Sequence, residues 1–210
     1  MSTSTIREPV LQVGRALEMT DSIATLGPAG TSSEAAAWHL WDRFGPAEAA
    51  TDPGRVVLFD TYEECLGALR RREQTMSVVA NAYAGVSAFY MDPDLHLWGA
   101  FVLDTPQYGI ASATPAVPSG SVRLVTHPAP APLVGQLFPG DTDRLEVVFA
   151  SSTSSAAREV RAGRADLALT TERAAVLHQL HFVSRTRAIR MLWSVFQSIS
   201  TDPAGPTRGR

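Results

Sequence analysis

The segment that most restricts how this chain can fold is GPAGTSSE, at residues 27–34. It follows the apolar run SIATL and precedes an alanine-rich stretch whose apolar residues recur at the spacing of a helix. A strand, a tight turn and a helix are therefore expected in succession. Thr31 and Glu34 have the spacing of a capping box, in which each side chain accepts a hydrogen bond from the other residue's backbone amide. We predict that a helix begins here, directly after a strand.

The predicted helix start is also a candidate binding site for an anion. Its first turn carries the hydroxyl groups of Thr31, Ser32 and Ser33, and the first amide groups of any helix have no acceptor within the helix. Together with the positive end of the helix dipole, these donors suit a carboxylate or a phosphate. The competing interpretation is an ordinary helix cap, and the spacing alone favours the cap.

Strands and helices alternate after this segment. The apolar runs at residues 56–60 and 76–81 are typical of strands, and the pattern between them, at residues 62–72, is that of a helix. Three β-α units in succession predict a parallel sheet with right-handed crossovers, whose ligand crevice lies at the carboxyl ends of the strands. Asn81 ends the third run, so we expect it to share this edge of the sheet with Ser33.

A second series of strands and helices begins after residue 120. Pro106 separates two extended runs, and because proline is disfavoured inside a central strand, we place the crossing between two lobes there. In the second series, the segment SSTSSAA at residues 151–157 is again a strand end that leads into a hydroxyl-rich helix start. Ser152 and Thr153 are its candidate binding residues. Two such helix starts, one in each lobe, would face each other across a cleft and suit a dicarboxylate.

The fold class that these patterns predict is α/β, with two Rossmann-like lobes and a central cleft. Three arginines, at positions 185, 187 and 190, precede a last apolar run that we expect to return to the first lobe. One of them would suit a bidentate contact with a carboxylate, although an exposed arginine is usually only solvated. The predicted divisions are an N-terminal extension with the apolar spacing of a short helix (1–21), lobe 1 (22–105 plus 189–200), lobe 2 (106–188) and a disordered tail (201–210).

Composition narrows the class of function. The chain has 210 residues, 45% of them hydrophobic, and a formal net charge of -3 without any basic run, so nucleic acid and anionic membranes are poor partners. The single cysteine, Cys65, cannot form an internal disulfide, and no Cys/His set has the spacing of metal ligands. Charged residues interrupt the N-terminal segment and no apolar run is long enough to span a bilayer, so we expect neither a signal peptide nor a membrane anchor. These features predict a cytoplasmic protein that binds a small molecule and no metal.

Several of these segments resemble the prephenate dehydratase family. Residues 27–34 are similar to its signature Gly-Pro-x-Gly-Thr-Phe-Ser-Glu, residues 78–81 (VVAN) with Gly85 are similar to its Pro-Ile-Glu-Asn-Ser and glycine segment, and residues 152–153 to its Ser-Thr-Ala. The similarity covers most of residues 22–196. It implies a two-lobe fold like that of type 2 periplasmic binding proteins, with prephenate held in the cleft between the lobes.

The chain also departs from that family. Ser32 stands where the first signature has phenylalanine, and Ala80 stands where the second has glutamate. No regulatory domain of the ACT type is expected. These departures, together with the run DTPQYG at residues 104–109, resemble the stand-alone prephenate decarboxylases of the bacilysin type, which act in antibiotic-like secondary metabolism.

A further departure affects the Thr-Arg-Phe motif of the dehydratases, whose threonine serves as the acid at the leaving hydroxyl group. Thr186 and Arg187 match this motif literally, but Ala188 follows them. Alignment on the final strand instead places residues 189–191 (IRM) there, without a threonine. The carboxylate-binding arginine is then Arg187 or Arg190, and the poor alternation of polar and apolar residues around them favours Arg187.

The resemblance implies a non-aromatising decarboxylation of prephenate to dihydro-4-hydroxyphenylpyruvate, without a cofactor. Its catalytic residues stay unassigned, with Thr186 and Arg187 as candidates. Two alternatives remain open: a prephenate dehydratase without an ACT domain, which would make phenylpyruvate for phenylalanine biosynthesis, and a non-catalytic carboxylate-binding protein. A homodimer is also left open. The predicted substrate-binding residues are Thr31, Ser32, Ser33, Asn81, Ser152, Thr153, Arg187 and Arg190.

Overall fold

The computed structural model of the chain describes residues 10–12, 17–46 and 52–199. The strands in these parts are β1 (Val10–Gln12), β2 (Ile23–Leu26), β3 (Val56–Phe59), β4 (Met76–Ala80), β5 (Leu95–Asp104), β6 (Tyr108–Ser112), β7 (Val122–Thr126), β8 (Leu145–Phe149), β9 (Leu167–Thr171), β10 (His181–Phe182) and β11 (Arg190–Ser198). The α-helices are α1 (Ser32–Phe44), α2 (Tyr62–Arg70), α3 (Ser87–Tyr90), α4 (Val134–Leu137), α5 (Thr153–Arg161) and α6 (Glu172–Leu177). Short 3-10 turns cover Pro53–Arg55, Ala131–Leu133 and Thr142–Arg144.

The first sheet has the strand order β1-β5-β11-β4-β2-β3. Strands β3, β2 and β4 run parallel, which confirms the three consecutive β-α units expected from the sequence. Strand β11 lies antiparallel between β4 and β5, so the last strand of the described residues joins the first sheet. Residues 10–12 pair with β5, and their assignment to a helix was wrong. Pairing with the open edge of the sheet overrides the local apolar spacing there.

The second sheet has the strand order β10-β6-β9-β7-β8. Strands β8, β7 and β9 run parallel, while β6 and β10 are antiparallel to their neighbours. The α/β class with two sheets around a central cleft is confirmed. We propose the lobe limits at residues 105 and 189, because the chain leaves the first sheet after β5 and returns to it at β11. The predicted tail, 201–210, and most of the N-terminal extension lie outside the described residues.

Side chains from helices cover both faces of the first sheet. On one face, Trp41 of α1 packs in a cluster with Trp98 and Trp193, and all three are at most 1% exposed. On the other face, Tyr62 and Cys65 of α2 are buried in a second cluster. Burial raises the pKa of the Cys65 thiol to about 12, so the thiol stays protonated and serves as a core residue.

Helix α1 begins where the sequence predicts, with one difference in its cap. The Thr31 hydroxyl accepts a hydrogen bond from the amide of Glu34 at 3.2 Å and donates its own proton to the carbonyl oxygen of Leu26 at 2.9 Å. The Glu34 carboxylate accepts the amide of Gly30 at 2.7 Å, and not the amide of Thr31 as a regular capping box would. Gly30 has a φ of 89°, which glycine adopts without strain. The cap therefore ties the helix to the turn that precedes it.

Candidate functional site

A cavity of about 580 Å³ lies between the two sheets. Its volume is that of a site for a small molecule. Most of its wall is built from residues that follow β2, β3 and β4 of the first sheet and β7 and β8 of the second, which is where α/β folds bind ligands. The lining residues that bear on its chemistry are Thr31, Ser32, Ser33, Tyr62, Tyr108, His127, Ser152 and Thr153.

The N-termini of two helices from opposite sheets reach this cavity. Residues 31–33 at the start of α1 and residues 151–153 at the start of α5 are among the lining residues. The first amide groups of each helix have no acceptor within the helix, and the dipole makes each N-terminus partly positive. Within the described parts of the chain, no lining residue is a lysine or an arginine, and the acidic lining residues, Asp60 and Glu63, are exposed. Two separate anionic groups would therefore be bound by the backbone and by hydroxyl groups.

Two of the predicted hydroxyl groups are already occupied as helix caps. Thr31 donates its proton to Leu26, as described above. The Ser152 oxygen accepts the amide of Ser155 at 2.9 Å and donates to the hydroxyl oxygen of Ser155 at 3.0 Å. These side chains line the cavity, but neither has a proton left for a ligand. Their role is the ordinary capping one that was the competing interpretation of the sequence.

The hydroxyl groups of Ser33 and Thr153 are better placed to donate to a ligand. Ser33 shares a hydrogen bond of 2.8 Å with Tyr62, whose oxygen also accepts the amide of Ala80 at 3.1 Å. Burial raises the pKa of Tyr62 to about 12, so the phenol stays protonated, and because its oxygen already accepts the Ala80 amide, its own proton is best used as a donor to Ser33. The Ser33 proton is then free to face the cavity. The Thr153 hydroxyl forms no hydrogen bond with the described residues, and it also lines the cavity.

A hydrogen bond joins the two sheets across the cavity. Ser32 and Tyr108 share it at 2.6 Å, and burial raises the pKa of Tyr108 so that this phenol also stays protonated. Tyr108 itself is held by backbone hydrogen bonds of 2.8 Å in both directions with Arg187. Ser32 is therefore at the cavity, as the sequence predicts, with its hydroxyl group bound to the opposite wall.

The structure does not bring the other predicted residues to the cavity. The Asn81 side chain accepts a hydrogen bond from Ser194 at 3.0 Å, although its neighbours in the chain line the cavity. Arg187 is exposed and donates to the Gln136 side chain at 2.6 Å. Thr186 and Arg190 are also exposed, and none of these four residues is part of the lining. For Arg187, the physical reason is that its backbone pairs with Tyr108 of β6 while its side chain contacts Gln136 at the protein surface.

Three residues of the site were not predicted from the sequence: Tyr62, Tyr108 and His127. Each lies close to the end of a strand or to the crossing between the sheets. His127 directly follows β7, and Tyr62 is three positions after the end of β3. Asn81 was selected because it is a polar residue at the end of a predicted strand. The same criterion, applied to the segments after β3 and β7, identifies Tyr62 and His127.

The loop before α1 is held by α5 and by the end of β9, both in the second lobe. Ser154 of α5 donates to the carbonyl oxygen of Ala29 at 2.7 Å, and Thr171 donates to that of Gly30 at 2.6 Å. Gly30 lies so close to α6 that an added Cβ would be 3.0 Å from the Cα atom of Ala174. The two helix starts are therefore locked in position relative to each other.

Neither a metal centre nor a membrane span is visible in the described residues. Within residues 10–12, 17–46 and 52–199, no three His, Cys, Asp or Glu side chains are grouped so that they could hold a metal ion. In the same parts of the chain, every helix is too short or too polar to cross a bilayer.

Comparison with known proteins identifies relatives of this chain. No protein-family model matches it. A Planktothrix agardhii protein named prephenate decarboxylase is 37% identical over 182 residues, which cover 85% of this chain and 89% of that protein. A Bacillus subtilis protein of the same name is 37% identical over 189 residues, covering 86% of this chain and 88% of that protein.

Solved structures show the same fold at much lower identity. A prephenate dehydratase from Arthrobacter aurescens in complex with L-Phe has a TM-score of 0.61 at 15% identity, over 86% of this chain and 61% of that chain. A nutrient-binding protein from Burkholderia cenocepacia bound to methionine has a TM-score of 0.54 at 11% identity, over 85% of this chain and 84% of that chain. The fold is thus shared with both enzymes and binding proteins. Because the two sequence relatives are 37% identical over about 85% of its length, this chain belongs to the prephenate decarboxylase family.

Proposed function

We propose that this protein decarboxylates prephenate without aromatising its ring. The observation that carries the proposal is that the N-termini of α1 and α5, from opposite sheets, line one cavity, because prephenate has two carboxylates to bind. The names of the two sequence relatives support the same substrate and reaction. In the proposed complex each helix start binds one carboxylate, and the hydroxyl protons of Ser33 and Thr153 add a hydrogen bond on each side.

The proposed reaction keeps the released electrons in the ring. As the ring carboxylate leaves as carbon dioxide, its bonding pair forms a double bond to the adjacent ring carbon. The π pair displaced from that carbon moves one carbon further, beside the carbinol, and takes up a proton there. The hydroxyl group stays, and the product is dihydro-4-hydroxyphenylpyruvate. The exchange of carbon dioxide for a proton is redox-neutral, so the proposed chemistry requires no coenzyme.

A dehydratase would instead expel the ring hydroxyl group. That step benefits from an acid close to the leaving oxygen. The sequence candidate for this acid, Thr186, is exposed and lies outside the residues that line the cavity, which supports retention of the hydroxyl group. The protein would then act mainly by binding the substrate in the orientation from which carbon dioxide leaves.

We further propose that the protein works in the cytoplasm and in antibiotic-like secondary metabolism. The chemistry of the product supports this role, because a non-aromatic hydroxy keto acid does not become phenylalanine or tyrosine by transamination alone. A homodimer stays a prediction that the oligomeric state in solution would test.

The identity of the product is the direct test of the proposed reaction. We expect purified protein, without added metal or coenzyme, to convert prephenate into a product that has lost only carbon dioxide and lacks the ultraviolet absorbance of phenylpyruvate. Mass spectrometry and absorbance immediately after mixing, before any acid treatment, measure this. Phenylpyruvate as the main product would support the dehydratase instead, and unchanged prephenate would support a non-catalytic binding protein.

The arginines before β11 provide a second test. Because both side chains are exposed and away from the cavity, Arg187→Lys and Arg190→Lys are each expected to leave kcat/KM for prephenate within about two-fold of wild type. Steady-state kinetics of the two variants check this. A large loss in one variant only would show that this arginine binds a carboxylate and would restore the corresponding alignment of the Thr-Arg-Phe motif.

A further inference from the structure

His127 is a cavity residue to which the sequence patterns assign no role. It directly follows β7 and lines the cavity on the side of the second sheet. The amide of Ala150 donates to the carbonyl oxygen of Thr126 at 2.9 Å, which joins the ends of β7 and β8. His127 and the start of α5 therefore lie side by side at one edge of the sheet.

A backbone contact determines which ring nitrogen of His127 carries the proton. The amide of Ala129 donates to Nδ1 of His127 at 3.2 Å. An amide is only a donor, so Nδ1 must be the unprotonated nitrogen and the neutral ring carries its proton on Nε2. Pro128 and Pro130 flank Ala129 and restrict the backbone of this turn, which favours a fixed ring orientation.

The charge of the ring follows from the same surroundings. Burial lowers the pKa of His127, so the ring is neutral at pH 7. A neutral imidazole donates a hydrogen bond but holds its proton too tightly to act as a strong acid. Among the described residues, Nε2 of His127 has no hydrogen-bond acceptor, whereas Thr31 and Ser152 have given their protons to protein atoms.

We propose that His127 is a substrate-binding residue whose Nε2–H donates to the carboxylate held by the start of α5. This inference rests on the proposed function for the identity of the substrate. The second sheet would then offer three kinds of donor to one carboxylate: the first amide groups of α5, the Thr153 hydroxyl and the imidazole. A neutral donor set of this kind explains how a cavity without lysine or arginine can bind an anion.

Substitution of His127 by asparagine and by glutamine distinguishes a hydrogen bond donated by Nε2 from other roles of the ring. Glutamine places an N–H group near the position of Nε2, whereas the shorter asparagine does not reach it. We expect His127→Asn to raise KM for prephenate about ten-fold or more, with a much smaller change in kcat, because a hydrogen bond to a charged group is lost. His127→Gln is expected to restore KM to within a few-fold of wild type. His181→Gln, on the exposed strand β10, is the matched control and should leave both constants unchanged.

Each result decides between distinct roles. An unchanged KM in His127→Asn would overturn the proposal, and so would a collapse of kcat in both variants, which would identify His127 as the proton donor. Failure of His127→Gln to restore KM would indicate a structural role for the ring. If the wild-type protein binds prephenate without converting it, the proposed reaction fails while calorimetric Kd values of the same variants still test His127. If it neither binds nor converts prephenate, both proposals are rejected.

Discussion

Gly30→Ala is expected to reduce kcat/KM for prephenate by about ten-fold, since a displacement of about 1 Å in a catalytic arrangement costs about 100-fold and the shift required here is smaller. The added Cβ would lie 3.0 Å from the Cα atom and 3.2 Å from the backbone nitrogen of Ala174 in α6, and neither atom can move independently. The turn before α1 must therefore shift away from the second sheet. That shift also lengthens the hydrogen bond from Thr171 to the Gly30 carbonyl oxygen.

The same substitution should destabilise the fold. Gly30 has a φ of 89°, and a residue with a side chain pays about 1–2 kcal/mol in this conformation. Gly163→Ala is the matched control, because Gly163 has a φ of 72° but no atom within 4 Å of an added Cβ. Chemical denaturation should show a loss of stability in both variants, and kinetics should show a loss of activity in Gly30→Ala only. Equal kinetic effects in the two variants would mean that the close contact with α6 does not position the site.

Thr153→Pro is expected to have a KM for prephenate about 10- to 150-fold higher than that of Thr153→Ala, which is the value of one hydrogen bond to a charged group. Proline is tolerated at the first position of a helix and removes its amide proton. Ser152, the preceding residue, has φ -156° and ψ 164°, an extended conformation that is compatible with a following proline. The helix should therefore form normally while both proposed donors of Thr153, its hydroxyl group and its amide, are missing.

Thr153→Ala is the control for the proline variant. It removes the hydroxyl group but keeps the amide proton, so the difference in KM between the two variants measures the amide alone. Circular dichroism and the unfolding midpoint report whether α5 is intact in both. If Thr153→Pro and Thr153→Ala have the same KM, the start of α5 does not bind a carboxylate through its first amide, and the proposed mode of binding is wrong on that side of the cavity.

The strand, turn and helix around residues 27–34 could be predicted from the sequence because the interactions that define them are local. Thr31 and Glu34 make their capping contacts within one helical turn, and Gly30 is next to them. The alternation of strands and helices follows in the same way from the spacing of apolar residues. These patterns determine the fold class and the two hydroxyl-rich helix starts, without indicating which hydroxyl protons are free.

The motif around Arg187 shows where local patterns stop being sufficient. Thr186 and Arg187 match the first two residues of the Thr-Arg-Phe motif of the dehydratases. The backbone of Arg187 nevertheless pairs with Tyr108, and its side chain contacts Gln136 on the surface. Those contacts join residues that are far apart in the chain. A match of two residue types to a sequence motif therefore cannot predict these contacts.

Only the tertiary structure decided which side chains line the cavity. Ser32 meets Tyr108, 76 positions away in the chain, and Ser154 meets the carbonyl oxygen of Ala29, 125 positions away. His127 likewise lines the cavity from the end of β7, which is paired with the end of β8. The spacing of apolar residues and the caps of a helix or strand depend on residues that are close in the sequence. The direction of a side chain at a site between two sheets depends instead on contacts between elements that meet only when the chain has folded.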